Sequence, residues 1–383
     1  MKATKLFKEF FDSEKAGGLV LIACTIVSLI LANSIFGTDY SNFFQIKVVG
    51  LTIEHWINDG LMAIFFLLIG LELEREIYRG ELSNFKNALF PIFGAIGGLL
   101  LPAGIYLVFN YGTATQSGIG IPMATDIAFA LGILSLLGNK VPLSLKIFLT
   151  ALAVIDDLFA MIFIAVFYTK TLIFTNLFIA LGIFGLLLIF NRMKVRNLIP
   201  YLVGGIAMWY FMLQSGVHAT ITGVLLAFAI PFGNGDEKST SYVLQHFLHK
   251  PVAFIILPIF ALANTIIIFS GDLSQTLTEN YSLGIAFGLV VGKPLGIFIL
   301  TFLAVSFGFC KLPAGLNWKS ILGVGLLGGI GFTMSIFITL LAFESNIIIN
   351  NSKLVILISS LIAGLLGFLT LKLTLKTETN DEI

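Results

Sequence analysis

The side chains able to do chemistry in this sequence are few, and they stand in unexpected places. Asp126, Asp156, Asp157 and Lys293 fall inside long apolar runs of a 383-residue chain that is 57% hydrophobic and 11% charged. A charge at the centre of a membrane helix costs about 2.5–3.5 kcal/mol, so the four together approach roughly 10 kcal/mol. A structural ion pair accounts for Lys293 and one aspartate, but not for three acids against one base. The surplus points to a pathway for an ion or a proton. Asp156 and Asp157 are adjacent, so on a helix they project about 100° apart. Two neighbouring carboxyls in a poorly solvated site cannot both ionise cheaply, and their titrations couple. Such a pair holds a proton until a cation displaces it, which is the chemistry of competition between H⁺ and a metal ion.

The elements that must carry these residues are membrane helices. A soluble domain has about 25% charged residues, and this composition excludes a soluble enzyme, a nucleic-acid binder and a receptor with a folded ectodomain. Apolar runs near 16–35, 56–71, 88–111, 119–137, 147–168, 172–190, 198–213, 217–231, 252–269, 283–309, 321–343 and 354–373 predict an all-α integral membrane protein with twelve transmembrane helices. Residues 1–383 then form a single polytopic membrane domain. Cys24 and Cys310 give no disulfide framework or metal spacing, and no cofactor is expected. Of the 22 Lys and Arg, only Lys47, Lys170 and Lys353 fall in connections on one side and Lys293 falls inside a span. The rest lie on the opposite side, which makes that side, with both termini, cytoplasmic. The longest polar connection, 232–251, is on the same side.

Two spans are punctuated by helix breakers. Gly118, Gly120 and Pro122 precede Thr125 and Asp126 in the fourth. Gly323, Gly325, Gly328, Gly329 and Gly331 precede Phe332-Thr333-Met334-Ser335 in the eleventh. Freed backbone groups are tolerated in a membrane only where they are buried or face water. Glycine also serves close helix packing, so the eleventh span alone is ambiguous. Breaks in two parts of the chain indicate discontinuous helices whose ends meet at an ion site. Their N–H ends are partly positive and their C=O ends partly negative. Asp126 and Lys293 are the charges at hand to offset them.

With these residues in view, the sequence resembles the NhaA-type sodium/proton antiporters. The resemblance rests on WINDGLMAIFFLLIGLELERE (56–76), GIPMATDIAFALG (120–132), LKIFLTALAVIDDL (145–158), SGVHATITG (215–223), GKPLGI (292–297) and GGIGFTMSIFI (328–338), in order over most of the chain. It implies inverted repeats made of the third to fifth and tenth to twelfth spans, with the fourth and eleventh crossing as discontinuous helices, features known for this family. It further implies that Asp157 binds the transported cation and that Asp156 pairs with Lys293. Thr125 and Asp126 would mark the break of the fourth span. The implied activity is electrogenic expulsion of Na⁺ and Li⁺ from the cytoplasm across a bacterial inner membrane in exchange for external H⁺. The expected partners are those ions, the lipid bilayer and, as an option, a second copy in a homodimer, with no nucleic acid.

The family is also shut down at acidic pH, and by resemblance Glu72, Arg75, Glu76, His246 and His249 match the cytoplasmic cluster assigned to that control. An acidic position of the cluster is Gln245 here, which removes a carboxylate partner for a neighbouring histidine. His218 matches the family too. Glu72 to Glu81 read equally well as a solvated helix end, His218 as a packed, hydrogen-bonded histidine, and Asp59 as a helix-start residue. The competing functions are weaker. An intramembrane aspartyl protease needs a GxGD-type context, whereas the aspartates here sit in ATD and IDD. A passive channel needs rings of acids or carbonyls in an oligomer and no lysine beside them. A sodium-coupled solute symporter on a similar broken-helix fold needs an organic-solute pocket, and no further polar cluster offers one.

Overall fold

Long apolar stretches with few charges can satisfy their backbone in a bilayer only by coiling into helices, and the computed structural model is built almost wholly of them. It describes residues 2–169, 172–268 and 273–375, without the side chains of 2–15, 81 and 139. The first helix, α1 (Lys2–Ala32), is followed by α2 (Gly37–Gln45) and a small antiparallel hairpin, β1 (Lys47–Val48) with β2 (Leu51–Thr52). Then come α3 (Ile53–Arg79) and α4 (Phe85–Asn110). A 3₁₀ segment, Gln116–Met123, precedes α5 (Ile127–Ser135), α6 (Leu143–Phe167), α7 (Phe174–Arg192), α8 (Ile199–Ser215) and α9 (Ile221–Ala229). The last five are α10 (Thr240–Asn264), α11 (Asn280–Ser306), α12 (Trp318–Gly328), α13 (Phe332–Ala342) and α14 (Asn346–Thr374).

Among the described residues, eight helices are long and apolar enough to cross a membrane, or ten if two bent pairs each count as one. The bent pairs are α1 with α2, at 113°, and α12 with α13, at 46°. Each of the twelve apolar runs holds a helix, but α8 has 17 residues and α9 only 9. The chain is therefore a multi-span, all-helical membrane protein with discontinuous helices.

The structure revises several local expectations. The connection 232–251 is helical from Thr240, where α10 begins. Lys353, expected in an external connection, is the eighth residue of α14 and is buried. The polar run Asn350-Asn351-Ser352 resembles a turn in sequence, yet it continues the helix because α14 packs against other helices there. Among the residues used to orient the chain, Lys170 and Lys376 lie outside the described residues, as do the side chains of Lys2, Lys5, Lys8 and Lys15.

The chain divides into two compact units. The first comprises Met1–Ile22, Asn84–Ala160 and Ile267–Ile383, and holds α4, α5, most of α6 and α11 to α14. Its tightest contact joins α4 to α11. A Cβ on Gly97 would strike the Gly296 carbonyl, and one on Gly296 would strike the Gly97 carbonyl, so two backbones touch with no side chain between them. The contact needs glycine on both helices. The second unit comprises Ala23–Ser83 and Met161–Ile266. There α3 and α9 run parallel at close range: Gly223 lies against Ala63 and Phe66, and Gly70 against Val224 and Ala227. Three wide π-helical turns, Trp56–Leu61, Val252–Ile256 and Gly288–Gly292, interrupt α3, α10 and α11.

Candidate functional site

Both breakers act where the sequence puts them. The 3₁₀ segment containing Pro122 ends at Met123, and the backbone is extended at Ala124 and Asp126 before α5 starts. The Gly-rich α12 stops at Gly328, and α13 restarts at Phe332. The two breaks meet inside the first unit. Asp126 N–H donates to the Ile330 carbonyl at 2.7 Å, and Ser335 Oγ donates to the Ile121 carbonyl at 2.7 Å. Freed backbone groups thus find partners in the opposite break, which is what burial demands.

Asp126 serves the N-termini of both continuing half-helices. Its Oδ1 accepts the Phe129 N–H at 3.0 Å, capping α5. Its Oδ2 accepts the Thr333 N–H at 3.0 Å and the Thr333 hydroxyl at 2.5 Å, at the first turn of α13. A carboxylate placed there complements two partly positive helix ends. The Phe332 N–H is taken up by Ser360 Oγ of α14 at 3.2 Å.

Lys293 stands at the end of the π-helical turn of α11, just before Pro294, and is completely buried. Its stem passes between two glycines. A Cβ on Gly98 would lie 3.5 Å from Lys293 Cε, and one on Gly328 would lie 3.9 Å from the same atom. The ammonium reaches Asp156 Oδ2 at 2.7 Å and also donates to the Met123 carbonyl at the end of the 3₁₀ segment. The lysine therefore meets a carboxylate and the carbonyl end of a half-helix together.

Thr125 Oγ1 lies 2.8 Å from Asp156 Oδ2 and 2.9 Å from the Gly328 carbonyl. A threonine hydroxyl has one hydrogen, so the two acceptors compete for it. Asp156 Oδ1 is buried and accepts no hydrogen bond from the described residues. Asp157, next along α6, is fully buried as well. Asp156, Thr125 and Lys293 are thus directly linked at the two breaks, Asp126 follows Thr125 in the chain and bonds instead to Phe129, Thr333 and Ile330, and Asp157 lies in the same helical turn as Asp156. Among the described residues no group of three or more His, Cys, Asp or Glu is placed to hold a metal ion. A cation here would rely on one or two carboxylates with hydroxyl and carbonyl oxygens, a donor set suited to a hard ion.

The second unit contains the other residues singled out by sequence. Glu72 is buried on α3, with Oε1 3.8 Å from His249 Nδ1 on α10. Arg75 stacks over the Tyr242 ring at 5.8 Å, and Tyr242 stacks on His246 with the rings 5° from coplanar. Glu72, Arg75, His246 and His249 therefore share one patch of α3 and α10. Gln245, half-buried, lies one turn before His249 on α10, and Glu76, also half-buried, one turn after Glu72 on α3. His218 is not brought to this patch. It lies before α9 with Nε2 3.0 Å from the Tyr168 carbonyl. Asp59 lies in the π-helical turn of α3, 2.9 Å from His55, and its carbonyl accepts the Trp209 indole N–H.

Sequence reasoning did not single out Thr333, although it lies two residues after the last glycine of the run. It could not have found the carbonyls of Met123, Gly328 and Ile330, because a backbone group leaves no mark in the residue pattern. Glu74 was missed too. It is buried in α3, and its Oε2 has no hydrogen-bond partner among the described residues.

Residues 8–371 match the family model described as "Na+/H+ antiporter 1". The chain belongs to the NhaA-type Na⁺/H⁺ antiporter family. It is 73% identical over 376 residues to the Na(+)/H(+) antiporter NhaA of Flavobacterium psychrophilum, covering 98% of each chain. It is 62% identical over 383 residues to the NhaA of Cytophaga hutchinsonii, covering 100% of this chain and 99% of that one. With the NhaA of Vibrio cholerae the identity is 48% over 374 residues, covering 97% and 98%. These NhaA relatives align with nearly all of the chain, including both broken spans and the helix that carries the paired aspartates.

Proposed function

We propose that this protein is a secondary active Na⁺/H⁺ antiporter of a bacterial inner membrane, a carrier rather than an enzyme. The observation that carries the reading is the buried arrangement of Asp156, Lys293 and Thr125 at the point where two discontinuous helices meet, with Asp157 beside it. Facing the cytoplasm, the acid pair gives up protons and Asp157 takes Na⁺ or Li⁺. Oxygens of Thr125 and of the opened backbone complete the shell. After the site turns outward the cation leaves and protons return. Lys293 neutralises Asp156 in one state and releases it in another. More protons than sodium ions cross per cycle, so transport is electrogenic.

The finer architecture belongs to the same reading: one polytopic membrane domain of twelve spans with both termini cytoplasmic, built on inverted repeats. The reciprocal approach of Gly97 and Gly296 supports equating the third span with the tenth. The paired breaks support equating the fourth with the eleventh. The Glu72–His249 patch, with Arg75, Glu76, Gln245 and His246, adjusts activity to cytoplasmic pH, while His218 has a packing role. The functional unit is a carrier that can pair as a homodimer in the lipid bilayer.

The test uses everted vesicles with an imposed ΔpH. Added Na⁺ should dissipate the gradient in the parent, and Asp157→Asn should abolish this. Parent-level activity in that variant would overturn the assignment. A symporter is separated in the same assay, because it would require an organic solute before sodium altered the gradient.

A further inference from the structure

Thr150 lies on α6, seven residues before Asp157. Seven residues are two helical turns, so the two side chains share one stripe of the helix, about 10 Å apart along its axis. A threonine within a helix commonly returns its hydroxyl to the carbonyl four residues back. Thr301, Thr339 and Thr374 do so here, donating to the Ile297, Ser335 and Thr370 carbonyls at 2.6, 2.8 and 2.7 Å. Thr150 does not. Its Oγ1 is buried and has no hydrogen-bond partner among the described residues.

A second observation concerns where this hydroxyl stands. Every residue of α6 from Ala151 to Asp157 is buried, whereas Lys146 and Thr150, on the stripe that leads to Asp157, are partly exposed. Accessibility along the stripe therefore ends at Thr150, two turns short of the acid. Ala153 and Val154, which lie between them, have no polar side-chain atom. A buried hydroxyl without a partner calls for a ligand, water or ion in some state of the molecule. Its oxygen has two lone pairs and is a hard donor suited to an alkali cation. Among the described threonines Thr222 also has a buried hydroxyl without a hydrogen bond, but α9, where it lies, carries no acidic or basic residue.

We propose that Thr150 handles the cation on its cytoplasmic approach to Asp157, its oxygen taking the place of one water of an entering Na⁺. The inference rests on the antiporter reading and on its orientation, in which α6 starts at the cytoplasmic side. A hydrated ion cannot pass buried apolar side chains intact, so water is shed at the last accessible position before the site. A hydroxyl at that position offsets part of the loss, and a methyl group does not. Thr150 serves the passage and not the loaded site. It therefore governs how readily the cation arrives, while the turnover of the loaded carrier is independent of it.

The test separates KM from kcat. In everted vesicles Thr150→Val, which keeps the shape, should raise the KM for cytoplasmic Na⁺ about three- to tenfold, the worth of one polar contact. Its kcat should stay within about twofold of the parent's, and Thr150→Ser should restore the KM. An unchanged KM in the valine variant, or a fall in kcat that serine does not restore, would mean a structural role and overturn the proposal. A second arm uses Thr150→Cys in a Cys24→Ser, Cys310→Ser background. An impermeant methanethiosulfonate added at the cytoplasmic face should label it, and a thiol that reacts only from outside, or not at all, would overturn the proposal. Labelling is read by mass and depends neither on transport nor on the folding of the valine variant. Failure of the parent to exchange Na⁺ for H⁺ would strike the antiporter reading, while the labelling arm would still decide whether the approach along α6 exists.

Discussion

Thr333 gives both of its donors, the backbone N–H and the hydroxyl, to a single oxygen of Asp126. The same carboxylate caps the opposite half-helix through Phe129. One side chain therefore holds two helix starts in register. Because these bonds span the fourth and eleventh segments, the relative position of the breaks depends on them.

Thr333→Val keeps the shape and the backbone donor but removes the hydroxyl bond to a buried carboxylate. The loss should be about 1.5–3 kcal/mol, seen as a lower melting temperature in detergent. Thr333→Ser should recover most of it. A valine variant as stable as the parent would show that the N–H alone suffices.

Lys293→Ala leaves Asp156 buried without its ammonium, and breaking a buried pair in this way costs about 3–5 kcal/mol. Lys293→Arg keeps the charge, but its larger head must pass between Gly98 and Gly328, so partial transport is expected. Combining Lys293→Gln with Asp156→Asn should be more stable than Lys293→Ala, because no isolated charge remains. Thermal unfolding of the three variants checks the order.

Gly97→Ala places a Cβ against the Gly296 backbone, and overpacking of this kind costs about 1–3 kcal/mol. Gly104→Ala on the same helix meets nothing within 4 Å and should be neutral, or more stable by up to about 1 kcal/mol through helix propensity. Opposite signs for the two alanines would identify the crossing, not the helix, as the sensitive element.

Gln245→Glu adds a carboxylate one turn before His249, which already lies 3.8 Å from Glu72. A carboxylate there favours the charged imidazolium. If that charge holds the carrier in its acid-inactive form, activation should move to higher pH. A partly exposed pair supplies about 0.3–0.5 kcal/mol, or about 0.3 of a pH unit. Dequenching curves from pH 6 to 9 measure it, and superimposed curves would place the sensor elsewhere.

What could be read in advance followed from cost. Asp126, Asp156 and Lys293 are conspicuous because charges in apolar runs are expensive, and Pro122 and the glycines of the eleventh span because they spoil helices. Their mutual contacts were not legible. Met123, Gly328 and Ile330 contribute carbonyls, and any residue carries one. Lys353 falls one residue before the apolar run 354–373, and the contact of this part of α14 with α11 leaves no mark in hydropathy. His218 shares a residue type with His246 and His249, but tertiary structure sends it to the Tyr168 carbonyl.

The bare meeting of Gly97 and Gly296 also constrains motion. Two helices separated by side chains can slide by a rotamer change, as gears shift by a tooth. Here main chain rests on main chain, and nothing at the junction can flex. The third and tenth segments are riveted together at that point, so any rearrangement that opens one side of the membrane must carry both as a single piece.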